Sequence, residues 1–244
     1  MRMLALAGRT WKEITRDPIT LMFGVGLPIA LLALMTLIQN NVPVPIFAID
    51  RLAPAIAVFS LSFISMFLGM LIARDRSTSF LARLFASPLR AQDFLLGYAA
   101  PFVPIALAQS ALCLIVAILL GLKASPQLFC TLLALLPSAL FYISLGLLLG
   151  TVLNDKAIGG VGSLLVNAAT LLGGAWFDLS ILSPGFRGFC YALPFAHCVD
   201  LARAATWGRY GEIPLHLCWV LGYAAVLLVV AVVLFHRKMK GGKG

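Results

Sequence analysis

The side chains best suited to chemistry are gathered late in the chain: Asp178, His197 and Asp200, with Cys190 and Cys198 close to them in sequence. His197 and Asp200 are three residues apart, so on a helix they share one face. An imidazole beside a carboxylate could bind a metal or relay a proton there. The same pair could equally be hydrogen-bonded to brace or cap short helices. Cys113, Cys130, Cys190, Cys198 and Cys218 form no CxxC pair and no metal-ligand spacing, and read mostly as small buried apolar residues. Whether Cys190 and Cys198 pair is left open. No GxxxxGK[ST] phosphate loop occurs in the 244 residues, so ATP hydrolysis by this chain is not expected. No catalytic residue, no metal-ligand set and no cofactor on this chain is assigned.

The elements that would position these residues belong to a membrane protein. Apolar residues make up 61% of the chain and charged residues 11%, with a mean hydropathy of +1.02, far from the composition of soluble domains. The pattern is that of an all-α polytopic membrane protein forming one domain, with predicted spans over 21–38, 53–73, 94–122, 128–153, 158–172 and 215–235. Residues 1–17 place Leu4, Ala7, Trp11 and Ile14 at helical spacing, which predicts an interfacial amphipathic helix broken at Pro18. The first span follows a charged segment and no small-residue cleavage site follows it, so it is read as retained. Pro101 and Pro104 predict a bend at the entry to the third span. Ser62, Ser65, Gly69 and Ala73 form a stripe of small residues on the second span, and Gly146 and Gly150 a GxxxG on the fourth; both permit close helix approach. No alternation of period two points to a β-barrel.

Six spans put both termini on one side. All but five of the 18 Lys and Arg residues then fall on that side, the exceptions being Arg51, Lys123, Arg187, Arg203 and Arg209. The positive-inside rule places both termini in the cytoplasm, in a multi-pass protein of the plasma (cytoplasmic) membrane. The same asymmetry accounts for the net charge of +9 without nucleic acid, and a basic inner rim favours anionic headgroups of the lipid bilayer.

Two segments between spans carry the remaining signal. Residues 74–92, RDRSTSFLARLFASPLRAQ, are the long charged stretch between spans two and three. Drawn as a helix from 77 to 87, the segment puts Phe80, Leu81, Leu84 and Phe85 on one face and Arg76, Ser79, Arg83 and Ser87 on the other, with Pro88 ending it. Such an edge can lie in the headgroup layer or press into a groove on a soluble partner. Residues 173–214 are too apolar for a solvated loop and too interrupted for a span. Two pieces, 184–192 and 195–207, open with proline at or just before the first turn and read as re-entrant or interfacial helices facing outward. Their aromatic residues form either a gate or an anchoring belt.

Taken in order, these features resemble the membrane subunit of ABC-2 type exporters, particularly the drug-resistance and polysaccharide or antibiotic export branch. SFLARLFASPLRAQDFLLG, 79–97, is similar to that family's cytoplasmic coupling segment at Phe80, Leu81, Arg83, Leu84, Ser87 and Pro88, with Ser79 in place of the usual glycine and Ala82 in place of the usual acid. GGAWFDLSIL, 173–182, with LPFAHCVDLAR, 193–203, resembles the family's outward-facing segment, Asp178 standing where proline is frequent. The resemblance implies a permease subunit exporting an amphiphilic or hydrophobic substrate such as a drug, antibiotic, lipid or lipid-linked glycan. It also implies a separate ABC ATPase subunit carrying the ATP and Mg, and a second permease, identical (a homodimer) or paralogous. Coupling to the ATPase would fall to Phe80, Leu81, Arg83, Leu84, Phe85, Ser87 and Pro88, and an outer gate to Trp176, Phe177, Pro194 and Phe195. The alternatives are an intramembrane enzyme or a secondary transporter using the His197 and Asp200 region. Against the latter, the predicted span cores carry essentially no acid or base, Gln109 and Asn167 being their nearest polar features.

Overall fold

The computed structural model describes residues 2–42, 47–77 and 91–241. Among them every regular element is helical, with no strand. Helix α1 (Arg2–Thr15) is amphipathic, burying Leu6, Thr10 and Ile14 on one face and exposing Leu4 and Trp11 on the other. Pro18 does not simply break the chain. Asp17 N-caps a fresh turn, Pro18–Leu21, accepting hydrogen bonds from the Thr20 hydroxyl at 2.8 Å and the Thr20 amide at 3.4 Å, with Pro18 in the first helical position that suits it.

A π turn, Met22–Gly26, leads into α2 (Leu27–Asn41). Proline explains the irregularity: Pro28 has no N–H, so the Gly24 carbonyl four residues earlier has no α-helical donor. The Gln109 side-chain amide supplies one, donating to Gly24 O at 2.5 Å and to Ser60 O at 2.7 Å. Three segments of the bundle are thereby joined by one buried amide.

Helix α3 (Ile49–Ser77) is the central element, packed against α2, α4 (Ala91–Leu119), α5 (Gln127–Val152), α6 (Asp155–Leu172) and α8 (Pro194–Thr206). Its contact with α5 is close because the two small-residue patterns meet. A Cβ on Gly146 would lie 2.8 Å from Ser65 O, and one on Gly150 2.7 Å from Ile72 Cβ. The buried serines of α3 do not leave their hydroxyls stranded, since Ser60, Ser62 and Ser65 each donate to a carbonyl three residues back at 2.6–2.7 Å. Pro101 and Pro104 lie inside the one continuous helix α4, which stops at Leu119, short of the hydropathy boundary at 122. There Gly121 takes φ +111, a backbone that halts the helix. Asn154 caps α6 by accepting from the Ala157 amide at 2.8 Å.

After α6, a 3₁₀ turn (Leu179–Ile181) and α7 (Pro184–Ala192) lead to α8, and α9 (Ile213–Gly241) returns along α5. Both of these short helices begin on proline, Pro184 and Pro194. Among the described residues five helices are long and apolar enough to cross a membrane: Met22–Asn41, Ile49–Ser77, Asp93–Leu119, Gln127–Val152 and Ile213–Lys238. Helix α6, at 18 residues, is not among the five; it opens on Asp155 and Lys156 and carries Gly159, Gly160 and Gly162.

Candidate functional site

Polar networks concentrate at the two ends of the bundle, one carrying α7 and α8, the other α1 and the close of α3. At the α8 end, Arg51, from the first turn of α3, forms an ion pair with Asp178. The Ser180 amide bonded to Asp178, assisted by Arg51 and opposed by partial burial, holds this carboxyl below its ordinary value. Arg203 is buried on α8 and reaches Gly174 O at 3.0 Å and Arg51 O at 3.3 Å, stitching α8 to the turn after α6 and to α3. Gly174 has φ +66, the turn that presents this carbonyl. Trp207 donates to Asp50 at 3.2 Å.

His197 and Asp200 share a face of α8 but bond different partners. Asp200 accepts from the Tyr191 hydroxyl at 2.7 Å and lies 3.9 Å from Arg203. The His197 Nδ1 meets His216 Nδ1 of α9 at 2.8 Å, and its Nε2 lies 3.0 Å from Tyr191 O. A carbonyl can only accept, so Nε2 carries the proton; in the neutral ring Nδ1 then accepts from His216. The ring also stacks on Trp219 at 5.0 Å. Burial, with a further contribution from His216, lowers the His197 pKa despite the Tyr191 carbonyl. The imidazole is therefore a strut between α7, α8 and α9. All five thiols are free. Burial raises Cys190 and pushes Cys198 up to about 12, the reverse of a poised nucleophile.

The four aromatic and proline positions expected at a gate lie at this same end without converging on one point. Trp176 packs edge-on to Phe59 at 6.1 Å, beside the Leu32, Leu52 and Ile56 cluster. Phe177 packs on a small core of Leu179, Cys190 and Ala196. Pro194 is buried, and Phe195 meets Phe141 of α5 edge-on at 5.9 Å.

At the opposite end Asp75, in the last turns of α3, is buried and holds side chains from two other helices. Arg9 of α1 donates to both of its oxygens at 2.9 and 3.1 Å, and Tyr98 of α4 donates its hydroxyl. Arg9 also pairs with Glu13 at 3.2 Å. Leu6 lies over Gly97, where an added Cβ would come within 2.8 Å of it, so shape docks α1 on α4 while charge ties it to α3. Arg76 donates to the carbonyls of Gly150 at 2.6 Å and Thr151 at 2.5 Å, and Lys238 to Thr151 O at 2.7 Å. Two cations thus close the C-terminus of α5, where orphan carbonyls and the helix dipole favour positive charge.

The predicted coupling residues Phe80, Leu81, Arg83, Leu84, Phe85, Ser87 and Pro88 lie outside the described residues. Hydropathy gave no warning of Asp75, Tyr98, Arg51 or His216 as network members. The available signal was local: an acid inside an Arg-Asp-Arg triplet at the end of an apolar run, and an arginine opening one.

Membrane-length apolar helices with charge confined to their ends define a multi-pass integral membrane protein. The sequence places it further: the model of the ABC-2 type transporter family matches residues 1–207, and the chain belongs to that family. It is a membrane component of an ABC transporter. No curated protein matches the chain.

Proposed function

We propose that this chain is the permease subunit of an ATP-driven exporter that moves an amphiphilic or hydrophobic substrate out of the cytoplasm. The observation that carries this reading is the family match over residues 1–207. ATP and Mg are held by a separate ABC ATPase subunit, and a second permease, identical or paralogous, completes the pathway. Both termini and the 74–92 segment face the cytoplasm of a plasma-membrane protein, and α6 completes a sixth crossing. Trp176, Phe177, Pro194 and Phe195 form the outer gate. Within the described spans the charged side chains cluster towards the ends, which supports a route for apolar rather than ionic cargo.

The ATPase docks on Phe80, Leu81, Leu84 and Phe85, with Arg83 orienting the contact and Ser87 and Pro88 closing the segment. The ties at the end of α3 support force transmission from there: Asp75 joins α3 to α1 and α4, and Arg76 joins it to α5. Burying one large apolar side chain contributes about 1.5–3 kcal/mol, so Leu84→Asp should weaken docking by at least about tenfold. Arg83→Ala should have a smaller effect, exposed ion pairs contributing about 0–1 kcal/mol. The test is copurification of the ATPase with wild-type, Leu84→Asp and Arg83→Ala chains at equal membrane abundance. Full retention and export by Leu84→Asp would move the coupling role elsewhere.

A further inference from the structure

A cavity of about 410 Å³ opens at the α1 end of the bundle, where α1 turns through Asp17 and Pro18 into the first membrane helix. Its volume is in the range of small-molecule sites. Its walls are apolar: Phe67, Met70 and Leu71 from α3 and Phe102 from α4. Two exposed arginines, Arg16 and Arg74, line the same cavity.

The charges around it are unequally matched. Glu13 is paired with Arg9, and the Asp17 carboxylate accepts both Thr20 donors. Arg16 and Arg74 make no ion pair with any described residue. An apolar slot beside two cations that no described residue pairs is complementary to an amphiphile with an apolar tail and an anionic head. Its place, beside an interfacial helix and at the end of a membrane span, is the depth at which headgroup meets acyl chain.

We infer that this cavity is a binding site for one anionic phospholipid, an acyl chain lying among Phe67, Met70, Leu71 and Phe102 and the phosphate engaged by Arg16 and Arg74. That the lipid comes from the inner leaflet rests on the topology proposed above; the binding itself does not. The lipid would wedge the junction of α1, the Pro18 turn and α3.

The test uses the purified full chain in detergent, without any ATPase, titrated with phosphatidylglycerol or phosphatidylcholine and read by native mass spectrometry. Success or failure is thereby separate from whether the chain exports anything. Wild-type protein should retain one phosphatidylglycerol in preference to phosphatidylcholine. R16Q/R74Q should lose about 30-fold in phosphatidylglycerol affinity, each arginine near an anionic surface contributing about 1 kcal/mol, and should lose the preference. Leu71→Trp, which fills the slot, should weaken both lipids. Equal affinity for the two lipids in wild type, or phosphatidylglycerol binding unchanged in R16Q/R74Q, overturns the assignment. Competition by glycerol phosphate as strong as that by phosphatidylglycerol also overturns it, because the tail would then play no part. R16Q/R74Q alters only exposed side chains, so the result does not depend on Leu71→Trp folding.

Discussion

Replacing Asp75 with alanine tests whether α1 is held to the bundle by charge. The carboxylate is 5% exposed and serves two donors on different helices, Arg9 and Tyr98. Its loss leaves the wholly buried Tyr98 hydroxyl without this acceptor, at a cost of about 1–3 kcal/mol. The Arg9 side chain is 38% exposed, so water recovers part of its lost interaction and the buried-pair cost is discounted to about 1–1.5 kcal/mol. Asp75→Ala should therefore destabilise by about 3 kcal/mol. Asp75→Asn keeps an acceptor for Tyr98 and should lose only the smaller Arg9 share. The assay is reversible unfolding in mixed micelles, completed as a double-mutant cycle of Arg9→Met with Asp75→Asn. A coupling energy of about 1–1.5 kcal/mol is expected. Additive single effects, within about 0.3 kcal/mol, would mean that α1 docks through Leu6 and Ile14 alone and that the ion pair holds nothing.

Two other perturbations probe the packing and the strut. Gly146→Ala puts a Cβ 2.8 Å from the Ser65 carbonyl and should cost about 1–3 kcal/mol by forcing α3 and α5 apart, whereas Gly159→Ala, with nothing within 4 Å, should be neutral or slightly stabilising; equal thermal midpoints in detergent would refute the close seam. His197 titrates beside His216, the Tyr191 carbonyl and Asp200, and burial lowers its pKa. A depressed folded pKa means that its contribution to stability is present above the unfolded value near 6.5 and is lost as pH falls from there through the folded one. Between pH 7.5 and 5 the midpoint of wild type should thus drop more than that of His197→Gln, and parallel pH profiles would remove His197 from the explanation.

The sequence alone determined that this chain is helical and membrane-embedded, because hydropathy over about 20 residues reports directly on burial in lipid. It also marked where short helices begin, since a proline at the first helical position acts through its own backbone: Pro184 and Pro194 open α7 and α8. The small residues of α3 and the glycines of α5 were legible as two separate patterns. That they face each other was not, for the pairing depends on the rotation and depth of each helix. The same limit governs the polar residues. His197 and Asp200 are neighbours on a helical wheel, yet the tertiary structure gives His197 to His216 and Asp200 to Tyr191. Arg9 and Asp75 are 66 residues apart, and Arg51 and Asp178 are 127 apart. A buried charge or orphan carbonyl must find a partner wherever the packed bundle brings one within about 3 Å. Local sequence says that Pro28 frees the Gly24 carbonyl; only the assembled bundle decides that Gln109 answers it.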